Sequence, residues 1–355
     1  MQSVNSKIIQ RKTKGIFDLK RPFNRGPTKY NTIVRIAKKD RQPNGGKTRN
    51  ARFPQAAQGL VEFFESNPKI NRSGAKKRIR EELMSILESA IPSKALRFLQ
   101  NYGILGILFP EFIEADGFVQ GKAHDFDLLS HLFMTCDFLP PNDPYLRLAG
   151  LLHDIGKLQT RERNRGGTSF KKHDQVGAEM VRERLATLGF PKDKIDRIVH
   201  LVRYHMFRFV SGLSDGHIRK FLHRVGEEHL EDFLQLRRAD NRAHSFYPKD
   251  FPELDELRTR ADWIIRTEGR PSGMVLAISK ESIAKALKTR NPQIIQLALD
   301  FAWHTVLNDP TCNKPDQLEN LIRLSREAFR KPILLDPPKK KRKRKNGRDS
   351  DPKKD

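Results

Sequence analysis

The chain of 355 residues carries a formal net charge of +25, and 37% of its residues are hydrophobic and 31% charged. Such a length suggests two or three domains and is ample for buried cores. No apolar run approaches the roughly 20 residues needed to cross a bilayer, and the N-terminus MQSVNSKIIQRKTKG lacks the apolar core of a secretory signal. The two cysteines, Cys136 and Cys312, form no spacing motif and fit a reducing setting. We therefore expect a cytoplasmic protein without membrane association.

Positive charge is concentrated at the two ends of the chain. Residues 1–50 hold fourteen Lys or Arg against Asp18 and Asp40, a net +12, and residues 339–355 hold ten against three Asp, a net +7. The residues between them are close to charge balance. Polycationic ends bind polyanions by releasing counterions and do not read sequence. The predicted partner is therefore RNA, with tRNA or another structured RNA foremost; the alternative is a pair of solvated tails that improve solubility.

The first 115 residues divide into two parts. We interpret residues 1–50 as a basic, largely extended arm, because their short apolar groups cannot form a core. From residue 51 to 115 the apolar spacing is helical. In RFPQAAQGLVEFFESNP and KKRIREELMSILES the apolar residues share one face, and PSKALRFLQNYG adds a capping Ser93 and a terminating Gly103. This pattern predicts a helical segment, which we call the neck, and periodicity alone says no more about it.

Residues 116–245 contain histidines and aspartates on or beside predicted helices. The stretch LRLAGLLHDIGKLQT places His153 and Asp154 side by side at the end of an apolar helix face. Side chains about 100° apart on a helix can lean toward one point, and an imidazole with a carboxylate suits Mn, Fe, Ni, Zn or Mg. A single His-Asp pair is common by chance, so the partners elsewhere decide whether it binds metal. The candidates are His131, His173, His200, His205 and Asp240.

Along the chain, these residues give the order His, His-Asp, His, His, Asp. That order resembles the HD superfamily of metal-dependent phosphohydrolases, whose substrates are phosphate esters. The resemblance implies four ligands to a first divalent ion and two histidines that support a second ion in some members. These residues are His131, His153, Asp154 and Asp240 for the first ion, and His173 and His205 for the second.

Other polar residues near this motif admit two interpretations. Lys157, one turn beyond the His-Asp pair, and Arg203 could contact a substrate phosphate and act in catalysis, or they could be ordinary surface charges. His200 lies about 140° from His205 on one helix, so both are not expected to reach one metal. We interpret five further histidines as structural: His200, His217, His223, His229 and His244.

The C-terminal third continues the helical pattern and then loses it. FPELDELRTRADWIIRTEG, NPQIIQLALDFAWHTVLND and KPDQLENLIRLSREAFR predict helices, whereas the tail that begins KKKRKRK cannot fold. We therefore predict an all-α protein in five parts. They are a basic arm (1–50), the neck (51–115), an HD domain (116–245), a helical extension (246–336) and a basic, disordered tail (337–355).

The neck and the segments after it resemble the RNA-binding part of bacterial CCA-adding enzymes and poly(A) polymerases. RFPQAAQGLVEFF, RIREELMSILES and PSKALRFLQNYGILGILFPEF precede the histidine run in that family's order, and the resemblance covers roughly residues 51–325. The family's polymerase chemistry needs a Gly-rich strand-turn and paired carboxylates for two metal ions. Fifty upstream residues with two aspartates cannot supply them. The resemblance therefore implies a neck and an HD domain without the nucleotidyltransferase head, and nucleotidyltransferase activity is not expected.

These observations leave two hypotheses about function. The first is a phosphohydrolase or phosphodiesterase that uses one or two divalent ions (Mn, Ni, Fe, Mg or Zn) on phosphate esters of nucleotides or RNA, with RNA binding by the neck and the basic ends. The second is a non-catalytic RNA-binding protein, or a partner of a separately encoded nucleotidyltransferase or poly(A) polymerase head. The complete set of ligands favours the enzyme, and the missing head with the basic ends favours the binding protein.

Overall fold

The computed structural model describes residues 54–66, 73–121, 126–164, 167–244 and 250–330. The predicted arm (1–50) and tail (337–355) lie outside these residues. Among the described residues, no helix is long and apolar enough to span a membrane.

The neck consists of helices whose apolar faces meet in one core. They are α1 (Gln55–Ser66), α2 (Ser73–Glu88), α3 (Pro92–Asn101), α4 (Leu105–Leu108) and α5 (Glu111–Ala115). The faces expected from periodicity are buried, for example Leu60 and Phe64 in α1 and Leu83 and Leu87 in α2. The short helix α4 is wholly apolar and packs on α3, and α5 packs on α4 and buries Phe112 and Ala115.

The next helices belong to the predicted HD domain (116–245), except the last, which begins the predicted extension. They are α6 (Leu128–Asp137), α7 (Pro144–Leu152), α8 (Lys157–Thr160), α9 (His173–Thr187), α10 (Lys192–Tyr204), α11 (Asp215–Val225), α12 (Leu230–Arg242) and α13 (Pro252–Glu268). Carboxylate caps fix where two of them begin, because Asp127 accepts from the amide of Ser130 and Asp143 from that of Leu146. A hairpin of β1 (Glu162–Asn164) and β2 (Gly167–Ser169) connects α8 to α9. These two short strands are the only strands within the described ranges. The predicted all-α class is confirmed.

Neck and HD helices share their apolar interior. One cluster of buried side chains runs from Ala57 in α1 to Ala239 in α12, and a second joins α11, α12 and α13. Arg147 on α7, only 2% exposed, ties the two parts together. Its guanidinium donates to the carbonyl oxygens of Leu87 at 2.6 Å and Ser89 at 2.5 Å, where α2 ends, and to that of Leu139 at 2.8 Å. Two charge-assisted hydrogen bonds therefore hold the C-terminus of α2 against α7, and the third fixes the guanidinium to the segment between α6 and α7.

A second compact unit begins after Ser272. Its helices are α14 (Lys280–Leu287), α15 (Pro292–Asn308), α16 (Pro315–Leu324) and α17 (Arg326–Arg330), with their own core around Ile283, Ala302 and Ile322. Three-residue 3-10 turns lie at Glu227–His229, Pro271–Gly273 and Pro310–Cys312. The predicted boundary between residues 245 and 246 does not coincide with this division, because α13 packs on α11 and α12. The predicted domain limits stay a prediction.

Candidate metal centre

Six polar side chains converge from five helices of the HD domain. His131 lies within α6, His153 and Asp154 come directly after the last turn of α7, His173 begins α9, His205 comes directly after α10, and Asp240 lies near the end of α12. All six are between 0% and 6% exposed. Helix ends supply four of them, so the site depends on where α7, α9 and α10 stop and start. Buried ionisable groups without partners are costly, so such a cluster calls for a cation or for mutual pairing.

The first donor set consists of four atoms, one from each of the ligands predicted for the first ion. His131 Nε2 lies 3.3 Å from His153 Nε2, 3.2 Å from Asp240 Oδ1 and 3.6 Å from Asp154 Oδ2. His153 Nε2 lies 3.3 Å from Asp154 Oδ2 and 3.5 Å from Asp240 Oδ1. Tetrahedral ligands with bonds of about 2.1 Å stand about 3.4 Å apart. The spacing of this set therefore fits a divalent metal ion.

The second donor set uses the other oxygen of the same carboxylate. Asp154 Oδ1 lies 3.1 Å from His173 Nε2 and 3.4 Å from His205 Nε2. The two histidine nitrogens are 3.3 Å apart. Asp154 therefore presents Oδ2 to the first set and Oδ1 to the second. Grouping by distance alone also places His153, Asp154 and His205 within reach of one ion.

The histidine rings are held by their second nitrogen. Nδ1 of His153 lies 2.8 Å from the carbonyl oxygen of Gly150, Nδ1 of His173 lies 2.7 Å from that of Phe170, and Nδ1 of His205 lies 2.6 Å from that of Val202. In a neutral imidazole, the nitrogen that faces a carbonyl oxygen carries the proton, which leaves the lone pair on Nε2. The carbonyl oxygen three residues back in each case thus orients the ring so that Nε2 points to the centre.

Electrostatics keeps the carboxylates ionised. Burial alone would raise the pKa of Asp154, but Lys157 and His153 hold that pKa well below its usual range. Burial would also raise the pKa of Asp240. Hydrogen bonds with His131 and His153 outweigh burial and hold that pKa well below its usual range. Two buried anions at one point are what a divalent cation compensates.

The pKa values of the clustered histidines shift in different directions. Burial lowers the pKa of His131 and of His205, which favours the neutral, metal-binding form. Burial also disfavours the charged form of His153, but the adjacent Asp154 carboxylate outweighs it and raises the pKa of His153 to about 10. A proton and a metal ion therefore compete for Nε2 of His153.

The two cations predicted to act on substrate occupy different surroundings. Lys157 is buried, and its Nζ donates to Asp154 Oδ2 at 2.5 Å and to Gln120 Oε1 at 2.8 Å. The structure thus shows Lys157 holding a ligand carboxylate. Arg203, two residues before His205, is half-buried and makes no hydrogen bond or ion pair with another described residue. The catalytic roles of both residues stay predictions.

Sequence patterns missed several residues beside the cluster. Arg237 donates to Asp240 Oδ2 at 2.6 Å and so orients this ligand. His244, interpreted from the sequence as structural, places Nε2 3.6 Å from Asp240 Oδ1, and its ring centroid lies 4.6 Å from that of His131. The only signal in the sequence is helical spacing from Asp240, three residues back and four residues on. The other histidines assigned structural roles contact residues outside the six: His200 with Val225, His217 with Ser214, His223 with Pro271, and His229 with His200.

Comparison with protein families decides what this arrangement belongs to. Residues 127–266 match the HD domain model. The chain contains an HD domain. Residues 72–116 match a second family, described as the probable RNA- and SrmB-binding site of polymerase A. The HD match spans all six clustered residues, and the second match spans most of the neck.

Relatives confirm the resemblance to the CCA-adding enzymes. The A-adding tRNA nucleotidyltransferase of Deinococcus radiodurans is 36% identical over 175 residues, which cover 48% of this chain and 40% of that protein. The CC-adding tRNA nucleotidyltransferase of Thermus thermophilus is 35% identical over 187 residues, 51% of this chain and 42% of that protein. A multifunctional CCA protein of Nitrosococcus oceani is 26% identical over 232 residues, 62% and 56% respectively. The chain is homologous to these enzymes over their C-terminal half and spans about half of their length.

Proposed function

We propose that the HD domain is a metal-dependent phosphohydrolase or phosphodiesterase that acts on phosphate esters of nucleotides or of RNA. One observation carries the proposal: Asp154 presents one oxygen to each of two donor sets, each spaced for a metal ion. A lone metal with a purely structural task needs neither the second set nor a shared carboxylate. Which divalent ion is bound, and whether one or two are held, is open to direct measurement.

The residues of the two donor sets and their neighbours have separate tasks. His131, His153 and Asp240 with Asp154 would hold a first ion, and His173 and His205 would hold a second through the same Asp154 carboxylate. Bound divalent ions lower the pKa of a water molecule and neutralise phosphate charge. The chain supplies a site closed to bulk water, where charge interactions are stronger. Lys157 and Arg237 fix the two carboxylates through hydrogen bonds of 2.5 and 2.6 Å, so neither ligand has to reorganise when substrate binds.

RNA is the macromolecular partner that we propose. Two relatives are named as tRNA nucleotidyltransferases, and the match at residues 72–116 is to an RNA-binding segment. Arg147 links this segment directly to α7, the helix that ends just before His153 and Asp154. An RNA held by the neck would therefore be fixed relative to the metal centre. The basic ends would add affinity that does not depend on sequence.

A second candidate is an RNA-binding protein, or a partner of a nucleotidyltransferase, whose metal ion is structural. The names of the relatives favour it, because they describe nucleotide addition to tRNA and no hydrolysis. Hydrolysis of a generic phosphodiester and of nucleoside 2′,3′-cyclic phosphates, with Mn, Ni, Mg or Zn added in turn, separates the candidates. Metal-dependent turnover that disappears in Asp154→Ala while RNA affinity persists supports the enzyme. Salt-sensitive RNA binding without turnover under any of these ions supports the second candidate.

A further inference from the structure

Beside the metal centre, the loop before α6 meets the segment that enters β1. Gln120 in this loop is 2% exposed, and its Oε1 accepts the hydrogen bond from Lys157 Nζ at 2.8 Å. Arg161, one residue before β1, donates from Nη2 to the carbonyl oxygen of Val119 at 3.0 Å. Lys157 connects the place to the centre, because the same Nζ donates to Asp154. We call this place the Gln120–Arg161 site.

The hydrogen bond from Lys157 fixes the orientation of the Gln120 amide and leaves its nitrogen without a hydrogen bond. Because Lys157 can only donate, the atom that it contacts must be the amide oxygen. The nitrogen Nε2 therefore points away from Lys157, is buried, and has no hydrogen-bond partner among the described residues. Buried amide donors in folded proteins nearly always find an acceptor in protein, water or ligand. This donor lies two hydrogen bonds from a carboxylate shared by both donor sets.

The guanidinium of Arg161 is likewise only partly used. It lies over the ring of Phe118, with Cζ 4.5 Å from the ring centroid, and its buried Nε has no hydrogen-bond partner within the described ranges. No carboxylate forms an ion pair with Arg161 among the described residues, whereas the charge of Lys157 is balanced by Asp154. Among the described residues, the site therefore has one guanidinium without an ion-pair partner and two N–H donors without an acceptor. The two acceptors shown, Gln120 Oε1 and the Val119 carbonyl oxygen, are already used.

A site with unused N–H donors, a positive charge and no unused acceptor is suited to an anionic ligand that accepts hydrogen bonds. We propose that Gln120 Nε2 and Arg161 Nε bind a phosphate group of the substrate, next to the phosphate ester held at the metal centre. The guanidinium, held over the Phe118 ring, suits the oxygens of a phosphate better than a flexible ammonium would. The phosphate ester at the metal centre rests on the proposed function. A substrate that also fills the Gln120–Arg161 site must therefore carry two phosphates. Such a substrate is either a nucleotide with a further phosphate or the end of an RNA chain.

Anion binding tests the site without any turnover. The full chain is stripped of metal, the chelator is removed, and inorganic phosphate is titrated at constant ionic strength by calorimetry. The variants are Arg161→Met and Gln120→Glu, which keeps an acceptor for Lys157 but replaces the donor with an oxygen. Arg163→Met is the matched control, because it removes the same charge from an exposed residue two positions on.

We expect the affinity for phosphate to fall about tenfold or more in Arg161→Met and Gln120→Glu and to change little in Arg163→Met. Thermal unfolding without phosphate establishes that each variant is folded. Equal affinities in wild type and all variants would overturn the site. An equal loss of phosphate affinity in Arg163→Met would also overturn it, because the loss would then reflect the net charge of the protein and not this site.

Turnover tests the link to the metal centre and identifies the source of the phosphate. With metal restored, KM is compared for a nucleoside 2′,3′-cyclic phosphate, its 5′-phosphorylated form, and a dinucleotide ending in the same cyclic phosphate. A lower KM for the 5′-phosphorylated form points to nucleotides, and a lower KM for the dinucleotide points to RNA. Either preference should disappear in Arg161→Met and remain in Arg163→Met. A preference that survives in Arg161→Met contradicts the inference. No turnover of any substrate contradicts the proposed function and leaves the calorimetry to decide the site.

Discussion

Asp154 is the residue on which both donor sets depend, and its surroundings explain how it does so. Its two oxygens face different pairs of histidines, while Lys157 supports one of them from the adjacent turn. A carboxylate shared in this way must stay ionised, and the lowered pKa of Asp154 ensures it. At the residue scale, the proposed function depends on the positions of the two Asp154 oxygens relative to the histidine nitrogens.

The resemblance to the HD superfamily named six side chains as metal ligands, and the structure brings these six close together. Their role as ligands stays a prediction. The sequence did not single out Gln120, which reaches Lys157 only through tertiary packing, or Arg237 and His244, for which helical spacing from Asp240 was the sole signal. It also gave Lys157 a role on substrate, whereas the structure shows that its Nζ contacts Asp154 and Gln120. Contacts between side chains distant in sequence are what a single sequence does not contain.

Asp143 gives a pH-dependent prediction. Burial would raise its pKa, but hydrogen bonds from Arg197, at 2.5 and 3.1 Å, and from the amide of Leu146 lower it below its usual value. A depressed pKa means that this ion pair stabilises the fold fully above about pH 4. The contribution is lost as the pH falls through the folded pKa. In Asp143→Asn, which keeps a good helix cap, the free energy of unfolding at pH 7 should fall by about 1 kcal/mol.

Urea unfolding of both proteins at several pH values between 7 and 3 checks this expectation. The difference between wild type and Asp143→Asn should shrink toward acid. Asp193→Asn, an exposed aspartate in the first turn of α10, controls for the change in net charge. A difference that stays constant with pH would show that the ion pair is not its cause.

At the scale of elements, the metal centre depends on how closely helices approach. Gly156 at the start of α8 touches the first turn of α9, and a Cβ atom there would lie 2.0 Å from the carbonyl oxygen of His173 and 2.6 Å from the nitrogen of Gly177. Periodicity predicted the helices and their buried faces but not this contact. Nor did it predict the β1–β2 hairpin or the shared core of neck and HD domain. Those features depend on pairings between segments, which local spacing does not specify.

Gly156→Ala should therefore damage the second donor set selectively. The methyl group must push α9 away, which displaces His173 from Asp154, and we expect about one equivalent less of bound metal. Strain of this kind costs about 1–3 kcal/mol in the free energy of unfolding. Metal analysis and denaturant unfolding measure the two effects.

The matched control is Gly74→Ala in α2, where a Cβ atom would meet nothing within 4 Å. Alanine in a helix is favoured over glycine, so this variant should be as stable as wild type or slightly more so, with unchanged metal. Wild-type metal content in Gly156→Ala would show that the close approach of α8 and α9 does not position His173.

At the scale of the whole molecule, composition and periodicity were sufficient for fold class. The all-α prediction is confirmed, since helical spacing recurs along the described residues and most of the predicted apolar positions are buried. Comparison adds that this chain matches an HD domain model and an RNA-binding segment model and is homologous to CCA-adding enzymes over their C-terminal half. The division into two compact units at Ser272 was not expected, because α13 has the same sequence pattern as the helices after it.

The charge distribution predicts how RNA binding responds to salt. Each phosphate neutralised by Lys or Arg releases counterions, so the logarithm of the binding constant falls with the logarithm of salt concentration. Replacing all seven basic residues from Lys339 to Lys345 with glutamine should reduce that slope by up to about 5 on single-stranded RNA. The measurement is RNA affinity at several salt concentrations for the full chain and this variant. An unchanged slope would mean that the tail acts only on solubility, and unchanged metal content would show that the HD domain is intact.

We propose that Asp154 joins two metal-binding sets in a hydrolytic centre. The most direct measurement is the metal content of the purified full chain beside Asp154→Ala and the exposed control Asp196→Ala, with phosphodiester hydrolysis assayed on the same samples. We expect stoichiometric divalent metal and metal-dependent hydrolysis in wild type and Asp196→Ala, and loss of both in Asp154→Ala. No metal in any of the three proteins, or full metal content in Asp154→Ala, would contradict the assignment of the centre. Metal that is lost in Asp154→Ala, with no hydrolysis in any sample, would favour the RNA-binding alternative.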